Sequence, residues 1–457
     1  MQTEGTDRSP GVKMALAIIV AALLSIPLFT VYLLVYDRQN QSQTAQTSIA
    51  EGWGNAQTIA GPTLAIPYQT EHTESVTENG KPVTKTSTVW RELTLVPEFI
   101  DMKTVIAPEV RKRSIYQAVV YGAHHQGRAR FVLPADLARL GVDPTKLQLD
   151  RAELRFGVAD PRGLYGPPPS VTVNGAARPL QPGKGPADTG GAGFYTWVDA
   201  TSLTTAPILA DFAFDLRGNQ SFGLVPQAGD TRWSVSSTWA NPSFKGGFLP
   251  TTRSVTDKGF QAQYRVGNLA LGRTLVRIDD PAADSSDSNG PRTAAPEASQ
   301  ARVDLITPVD LYDQVNRSVK YGFLFIGFTF MAFLLFDVVG GVRVSAVEYL
   351  LVGAGLVLFF VMLLGFAEVV GFAAAYLIAA AAIIALLTAY SAAVLGSRQR
   401  ASFIFGLLAA LYAVLYILLS LEAYSLLIGS LLLFAALAAV MYLTRKVDWG
   451  KRRVIDA

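Results

Sequence analysis

The sequence contains no cysteine, which removes disulfides, thiolate metal sites and cysteine nucleophiles together. Histidine is nearly absent, so any histidine-based centre has to be built from His72, His124 and His125. Charge is thin as well: Asp, Glu, Lys and Arg make up 16% of the chain, against roughly 25% in soluble proteins. A net charge of +3, with no basic run interleaved with aromatics, gives no footing for a nucleic-acid partner. There is no G-x-S-x-G elbow, no H-E-x-x-H pair and no Walker A sequence. No long apolar run carries an acid or base near its centre, where proton-coupled transporters place one.

What the chain has instead is apolar length. Residues 1–13 are short and polar, and 14–36 form an apolar run preceded by Arg8 and Lys13. The run is span-length and is followed by Asp37, Arg38 and a Gln/Ser/Thr-rich segment, with no small-residue cleavage site close behind it. This reads as an uncleaved signal anchor, kinked at Pro27. Five further spans are expected within 321–443, near 321–339, 346–366, 369–395, 402–421 and 424–443. The basic residues fix the direction. Arg8 and Lys13, Arg343, Arg398 and Arg400, and Arg445 to Arg453 fall in one set of connections; the other short connections hold only Glu368 and Glu422. Positive residues stay inside, so six spans put both termini, including the tail 444–457, in the cytoplasm and residues 37–306 outside it.

That outer region lacks long helical periodicity. Short runs rich in β-branched and aromatic residues, such as Thr63–Tyr68, Ala152–Val158 and Ala210–Leu216, are set off by Gly, Pro, Asn and Asp. Asn174-Gly175 is a hairpin signal. The expectation is an all-β, sandwich-like domain. A Pro/Gly-dense segment at 179–193 could divide it, and 279–300 reads as a flexible loop.

Candidate chemistry is sparse. His124 and His125 are adjacent, so on a strand they point to opposite faces and cannot share a metal. Preceding Gln126-Gly127, they are expected at a solvated hairpin tip. Asp211 and Asp215 would share one strand face, and Asp160-Pro161-Arg162-Gly163 supplies another carboxylate, none with an evident nucleophile. Trp53, Trp90, Trp197, Trp233 and Trp239 are weighted towards core over a sugar-stacking platform. No catalytic, cofactor or metal site is expected.

The stretch from Thr307 to Val339 joins the two halves. Residues 307–320 are expected as a solvated collar continuing as one helix into the next span, with Asp310 near its cap, Asp313 and Arg317 four apart, and Lys320 snorkelling. Leu311, Val315 and Val319 form an apolar stripe expected to pack on the β domain or on the first span. Asp337, Arg343 and Glu348 flank a short turn and are expected to cluster. Asp310, Asp313, Arg317, Lys320, Asp337, Arg343 and Glu348 are the candidates for a structural or coupling role.

The run PVDLYDQVNRSVKYGFLFIGFTFMAFLLFD, followed by YLLVGAGLVLFF, AEVVGF and AYLIAA, resembles the CreD family of inner-membrane proteins. GVADPRGL and WANPSFKGGFLPTTRSV extend the resemblance into the outer region. Within these stretches Asn, Pro and Gly, as at Asn241, Pro242 and Gly247, are expected to set turns, beside Asn219, Trp239 and Phe244. Where the family shows a His-Pro-Xaa-Gln-Tyr-like run, this chain has Ser345 to Tyr349, so no role of that His or Gln carries over. The resemblance implies a bacterial inner-membrane protein of envelope integrity or envelope stress, not an enzyme. Its expected partners are the lipid bilayer and envelope proteins or glycan. A transporter or lipid-handling protein, and an enzyme acting on wall or glycan, are the alternatives.

Overall fold

The computed structural model describes residues 10–78, 81–279, 299–306, 311–338, 344–394, 396–420 and 425–445. Asp310, Arg343 and most of the expected flexible loop lie outside these. The chain falls into two compact units, Ala45–Pro308 and, separately, Met1–Thr44 with Val309–Ala457.

In the β unit the strands are β1 Gln57–Glu78, β2 Lys81–Leu95, β3 Phe99–Arg113, β4 Tyr116–Phe131, β5 Ala152–Val158, β6 Leu164–Val173, β7 Ala176–Ala177, β8 Gln181–Pro182 and β9 Gly193–Val198. They continue as β10 Ile208–Asn219, β11 Ser221–Val225, β12 Asp230–Ser237, β13 Pro242–Gly246, β14 Thr252–Thr256, β15 Gly259–Gly267, β16 Val276–Asp279 and β17 Ala301–Leu305. One sheet runs β13-β17-β11-β1-β5-β9-β8, with β2 also on β1 and β16 on β2; the other runs β14-β15-β12-β3-β4-β10-β6-β7. Both are mixed, because β1 pairs parallel with β11 and β3 parallel with β12. Alternation does the sorting: along β10, residues 208 to 216 place every second side chain in the core. The two sheets share one core. Phe156 of the first meets Phe212 of the second with ring centroids 5.3 Å apart, and Trp233 stacks on Tyr264 at 4.8 Å. The segment at 179–193 does not divide this unit: β8 and β9 pair within one sheet.

Asn174 and Gly175 turn β6 into β7 as expected, both with positive φ, 51° and 81°. The expected turn at Gln126-Gly127 is not there. β4 passes through it unbroken, and Gly127 is required for room: a Cβ there would sit 2.6 Å from Phe212 Cζ and 2.8 Å from the Asp101 carbonyl. Pro242 likewise opens edge strand β13 rather than setting a turn.

The helical unit contains α1 Pro10–Glu51, whose last turns belong to the β unit. A short helix, α2 Asn268–Leu271, lies within the β unit. The helical unit continues with α3 Leu311–Lys320, α4 Gly322–Val338, α5 Ala346–Val370, α6 Phe372–Val394, α7 Arg398–Ser420 and α8 Ser425–Thr444. The Gln/Ser/Thr-rich stretch after Tyr36 is therefore helical to Glu51. Among the described residues five helices, not six, are long and apolar enough to cross a membrane: Gly11–Ile49, Leu311–Asp337, Ala346–Val370, Phe372–Val394 and Arg398–Leu419. The expected sixth stretch forms α8 and is not among them. The collar runs into the following span through a tightened turn at Tyr321, whose N–H is shared between the carbonyls of Arg317 and Ser318 at 3.3 and 3.1 Å and whose carbonyl accepts from Leu324 and Phe325 at 3.0 and 3.4 Å. At Gly322, just past it, a Cβ would lie 2.9 Å from Leu28 Cδ1 and 3.0 Å from Phe360 Cε2.

Candidate functional site

In the helical unit the polar groups gather at two levels. At one, Lys13 of α1 sets its Nζ 2.7 Å from Asp337 Oδ1 at the end of α4 and also reaches the Asp337 carbonyl at 3.3 Å. The carboxylate is 2% exposed and the lysine 15%. Arg343 of the expected Asp337–Arg343–Glu348 cluster lies outside the described residues; Asp337 pairs with the first helix. Glu348 serves its own helix instead, in a capping box: its Oε2 accepts from the Ser345 N–H at 2.6 Å and Ser345 Oγ accepts from the Glu348 N–H at 3.3 Å.

At the other level Gln39 Nε2 of α1 donates to Asp313 Oδ1 of α3 at 3.0 Å. Tyr312 OH donates to Glu368 Oε1 of α5 at 3.2 Å, and Arg38 Nε lies 3.9 Å from the same oxygen. Arg317 Nε donates to the Asp313 backbone carbonyl at 3.4 Å. Lys320 is exposed. The buried face of α3 is Tyr312, Val315, Ser318 and Val319, with Leu311 only half-buried, and it packs against α5, α6 and α7. α3 is therefore part of the helical unit rather than a solvated collar. The two levels are 24 positions apart from Asp313 to Asp337, about 36 Å at helical rise, where a hydrocarbon core is about 30 Å thick.

The β unit has its own polar faces. Asp211 and Asp215 do share a face of β10, but each is engaged from the neighbouring strand β4: Arg128 Nε lies 2.5 Å from Asp211 and His124 Nδ1 2.6 Å from Asp215. His125 points the other way, into the core, and burial first, then the neighbouring His124, pushes it down to about 3. Asp160 accepts both nitrogens of a fork from Arg162, each at 2.9 Å, and a bond from Asn55 at 3.0 Å. Those bonds, led by Arg162, hold its carboxyl below the usual range. Gln57 beside it reaches the carbonyls of Asp160 and Arg217 at 3.0 and 2.9 Å, so the GVADPRGL stretch ties the start of β1 into the sheets.

The tryptophans are not mainly core. Trp233 is buried. Trp53 lies between the guanidinium groups of Arg111 and Arg217, 3.7 and 4.2 Å from its ring centroid, and Trp239 donates to the Ile306 carbonyl at 2.9 Å. Trp90 and Trp197 are about half exposed, at 48% and 52%. Near Trp197, Arg155 forks onto Glu92 at 2.6 and 2.7 Å and binds Glu153, which also takes Lys184 at 2.6 Å. Asn219 anchors the turn before β1 by donating to the Gly54 carbonyl at 2.7 Å. Among the described residues no group of three or more His, Asp or Glu is placed to hold a metal.

Lys13, Gln39, Arg38 and Glu368 were not singled out as site residues from the sequence. Their signal was position: Lys13 and Glu368 are isolated charges at the edges of apolar runs, and Arg38 and Gln39 open the polar stretch that follows the first one.

A family model described as "Inner membrane protein CreD" matches residues 9–450. The Inner membrane protein CreD of Escherichia coli (strain K12) is 29% identical over 434 residues, which covers 93% of this chain and 91% of that protein.

Proposed function

The chain belongs to the CreD family of inner membrane proteins, and from that premise we propose a non-enzymatic envelope protein. In this reading the five long apolar helices cross the bacterial inner membrane and the uncharged 20-residue α8 serves as a sixth crossing, with both termini in the cytoplasm. The chain carries a sandwich-like β domain in the periplasm and contributes to envelope integrity or the envelope stress response. The observation that carries this reading is the asymmetry of charge about the β unit. Basic residues fill the connections on the Lys13 side, and the opposite level, where Glu368 sits, leads through α1 and α3 to residues 45–308. The non-catalytic role is supported by the state of the most enzyme-like residues: His124, Asp211 and Asp215 are engaged in cross-strand pairs. Envelope proteins or glycan strands are the partners this reading implies.

Reporter fusions test the placement. A reporter after Gln300 should be active only outside the cytoplasm and one after Arg400 only inside; the reverse at either site overturns it. A deletion strain tests the role. The full chain should restore resistance to envelope stress, and His124→Ala/Asp215→Ala should restore it equally. Loss of complementation by that variant, with normal accumulation, would favour an enzyme acting on wall or glycan.

A further inference from the structure

Two tryptophans stand half open on one face of one sheet. Strand pairing sets Ala65 of β1 beside Thr94 of β2 and Glu153 of β5, and Glu153 beside Trp197 of β9. Further along, Pro67 pairs with Glu92 and Gln69 with Trp90. Directly paired residues share a face. This face is turned away from the core, which takes Leu64, Leu93, Leu154 and Phe194 from the alternate positions. Trp197 and Trp90 are therefore three strands apart and offset by the four positions from Ala65 to Gln69. That is about 14 Å across and about 13 Å along, or roughly 20 Å between them. A fixed line of charge joins the two. Glu153, next to Trp197, accepts from Arg155 Nη2 at 2.7 Å, Arg155 forks onto Glu92 at 2.6 and 2.7 Å, and Glu92 is two positions from Trp90 on the same face. The line is packed: the Arg155 side chain is 18% exposed and that of Glu153 7%, and Ala65, between Glu153 and Thr94, is buried although it faces outward. Beside Trp197, Lys184 Nζ sits 5.1 Å from its ring and 4.8 Å from that of Tyr195, which meets Trp197 edge-on at 5.9 Å.

We propose that this diagonal, from Trp197 through Glu153, Arg155 and Glu92 to Trp90, is a binding platform for a neutral polysaccharide strand. Each indole stacks on the C–H face of one pyranose ring, and the charged line takes the hydroxyl groups of the sugars between. The capacity for those bonds is present. A carboxylate has about four acceptor sites, and each Glu92 oxygen uses one on Arg155. Lys184 spends one of its N–H donors on Glu153 and keeps the others. Charge complementarity selects the occupant. Lys184 and Arg155 cancel Glu92 and Glu153, so the line offers no net charge to an ionic ligand. A protein partner would have to bury these ions at the centre of its interface, where charge is depleted. A bilayer would have to set hydrocarbon against the Glu92 carboxylate, which is 32% exposed. A sugar polymer presents flat apolar faces and hydroxyl groups along one strand, which suits two rings roughly 20 Å apart with ions between them. The proposal rests on the envelope reading above only for the source of the strand; the platform itself lies wholly within the β unit.

Titration of the full chain in nanodiscs tests this, with the hexamer and the dimer of β-1,4-linked N-acetylglucosamine as probes, read by tryptophan fluorescence and calorimetry. The hexamer can reach both rings and the dimer only one, so the hexamer should bind about tenfold more tightly or better. Trp197→Ala and Trp90→Ala should each weaken the hexamer about fivefold and shrink its advantage over the dimer, while Trp197→Phe, which keeps a ring, should lose less. Both indoles are half exposed, so the melting temperature should stay where it was. If Trp197→Ala does not accumulate, Trp90→Ala and the ratio of hexamer to dimer carry the test. No saturable binding of the hexamer, or undiminished binding in both alanine variants, overturns the platform, and equal affinity for hexamer and dimer overturns the two-point span. Quenching of the two indoles by brominated lipid would make them membrane anchors, and self-association lost in Trp197→Ala would make the face an interface between copies; either overturns the sugar assignment. A reversed reporter pattern would remove the wall as the source of the strand and leave these affinities unchanged, so the two readings fail separately.

Discussion

Trp233 gives its indole N–H to the Thr104 hydroxyl, 2.9 Å away, and that hydroxyl faces His125 Nδ1 at 2.8 Å. A hydroxyl has one proton and two lone pairs, so Thr104 can take the indole N–H and still meet Nδ1 of a neutral imidazole as donor or acceptor. The imidazole is then kept neutral by its surroundings, pushed from 6.5 to about 3. Between those values the unfolded chain binds a proton that the folded one refuses. Stability is full above about pH 6.5 and falls as pH drops towards 3, by at most about 1.4 kcal/mol per pH unit. Tryptophan-monitored urea melts of the full chain should show this slope between pH 6.5 and 4.5, above the carboxylate range, and His125→Gln should flatten it. An unchanged slope would show that His125 is not the group responsible. The sequence made legible that the two histidines point apart, because strand alternation demands it. It did not show that they lie mid-strand, because Gly127 reads the same whether glycine is needed for a turn or for space beside Phe212. Asp337 gives a second test at this scale. Removing Lys13 takes the cation from a carboxylate that is 2% exposed, and removing Asp337 takes a counter-charge from Lys13. Asp337→Ala and Lys13→Ala should each lower the melting temperature in detergent, while the double variant loses less than the sum, with a coupling of about 1–3 kcal/mol. Additive losses would mean that the pair does not form.

Helices and strands differ in how much of themselves they announced. α5 and α6 were legible to within a few residues, since an apolar run between charged or glycine punctuation has few other readings. β5 was legible end to end. The hairpin of β1 and β2 was not, beyond its buried base. From Gln69–Trp90 to Glu78–Lys81 it pairs residues such as Thr, Glu, Ser and Lys, so no apolar alternation marks it. The tightened turn at Tyr321 was hidden for a related reason: polar α3 and apolar α4 each read as helix, and the close approach of Gly322 to Leu28 and Phe360 leaves no mark in that pattern. Two glycines of α5 make the packing argument testable. At Gly353 a Cβ would overlap Leu24 Cδ1 and lie 3.0 Å from Phe330 Cζ, whereas at Gly365 it would meet nothing within 4 Å. Gly353→Ala should therefore destabilise by about 1–3 kcal/mol, and Gly365→Ala should be neutral or stabilising by up to about 1 kcal/mol. Thermal melts in detergent decide it, and equal effects at the two positions would remove the claim that α1 and α4 close on α5 at Gly353.

At the scale of the whole molecule, the division into two units was legible in composition, since a polar, strand-rich region is inserted between the first apolar run and the rest. Its boundaries were not, because the polar turns at the end of α1 look like linker, and Leu311, Val315 and Val319 look like a stripe for the β domain or the first span until the neighbours of α3 are seen to be α5, α6 and α7. The β unit draws its core from its own two sheets, and its start is fastened by groups within it: Gln57 to Asp160 and Arg217, Asn219 to Gly54, and Trp53 between Arg111 and Arg217. Nothing in that list comes from the helical unit. A chain of this size can close a core without disulfides or metal, and a fragment spanning residues 45–308 should therefore be soluble, give a β-type circular dichroism spectrum and unfold in one cooperative transition. Adding a chelator should leave the midpoint where it was. Trp53→Ala should lower the midpoint without splitting the transition, since it removes two cation–π contacts, each worth about 0.5–2 kcal/mol, from a junction that both sheets share. Two transitions would revive a division near 179–193, and an insoluble or helical fragment would show that the β unit depends on the membrane helices to fold.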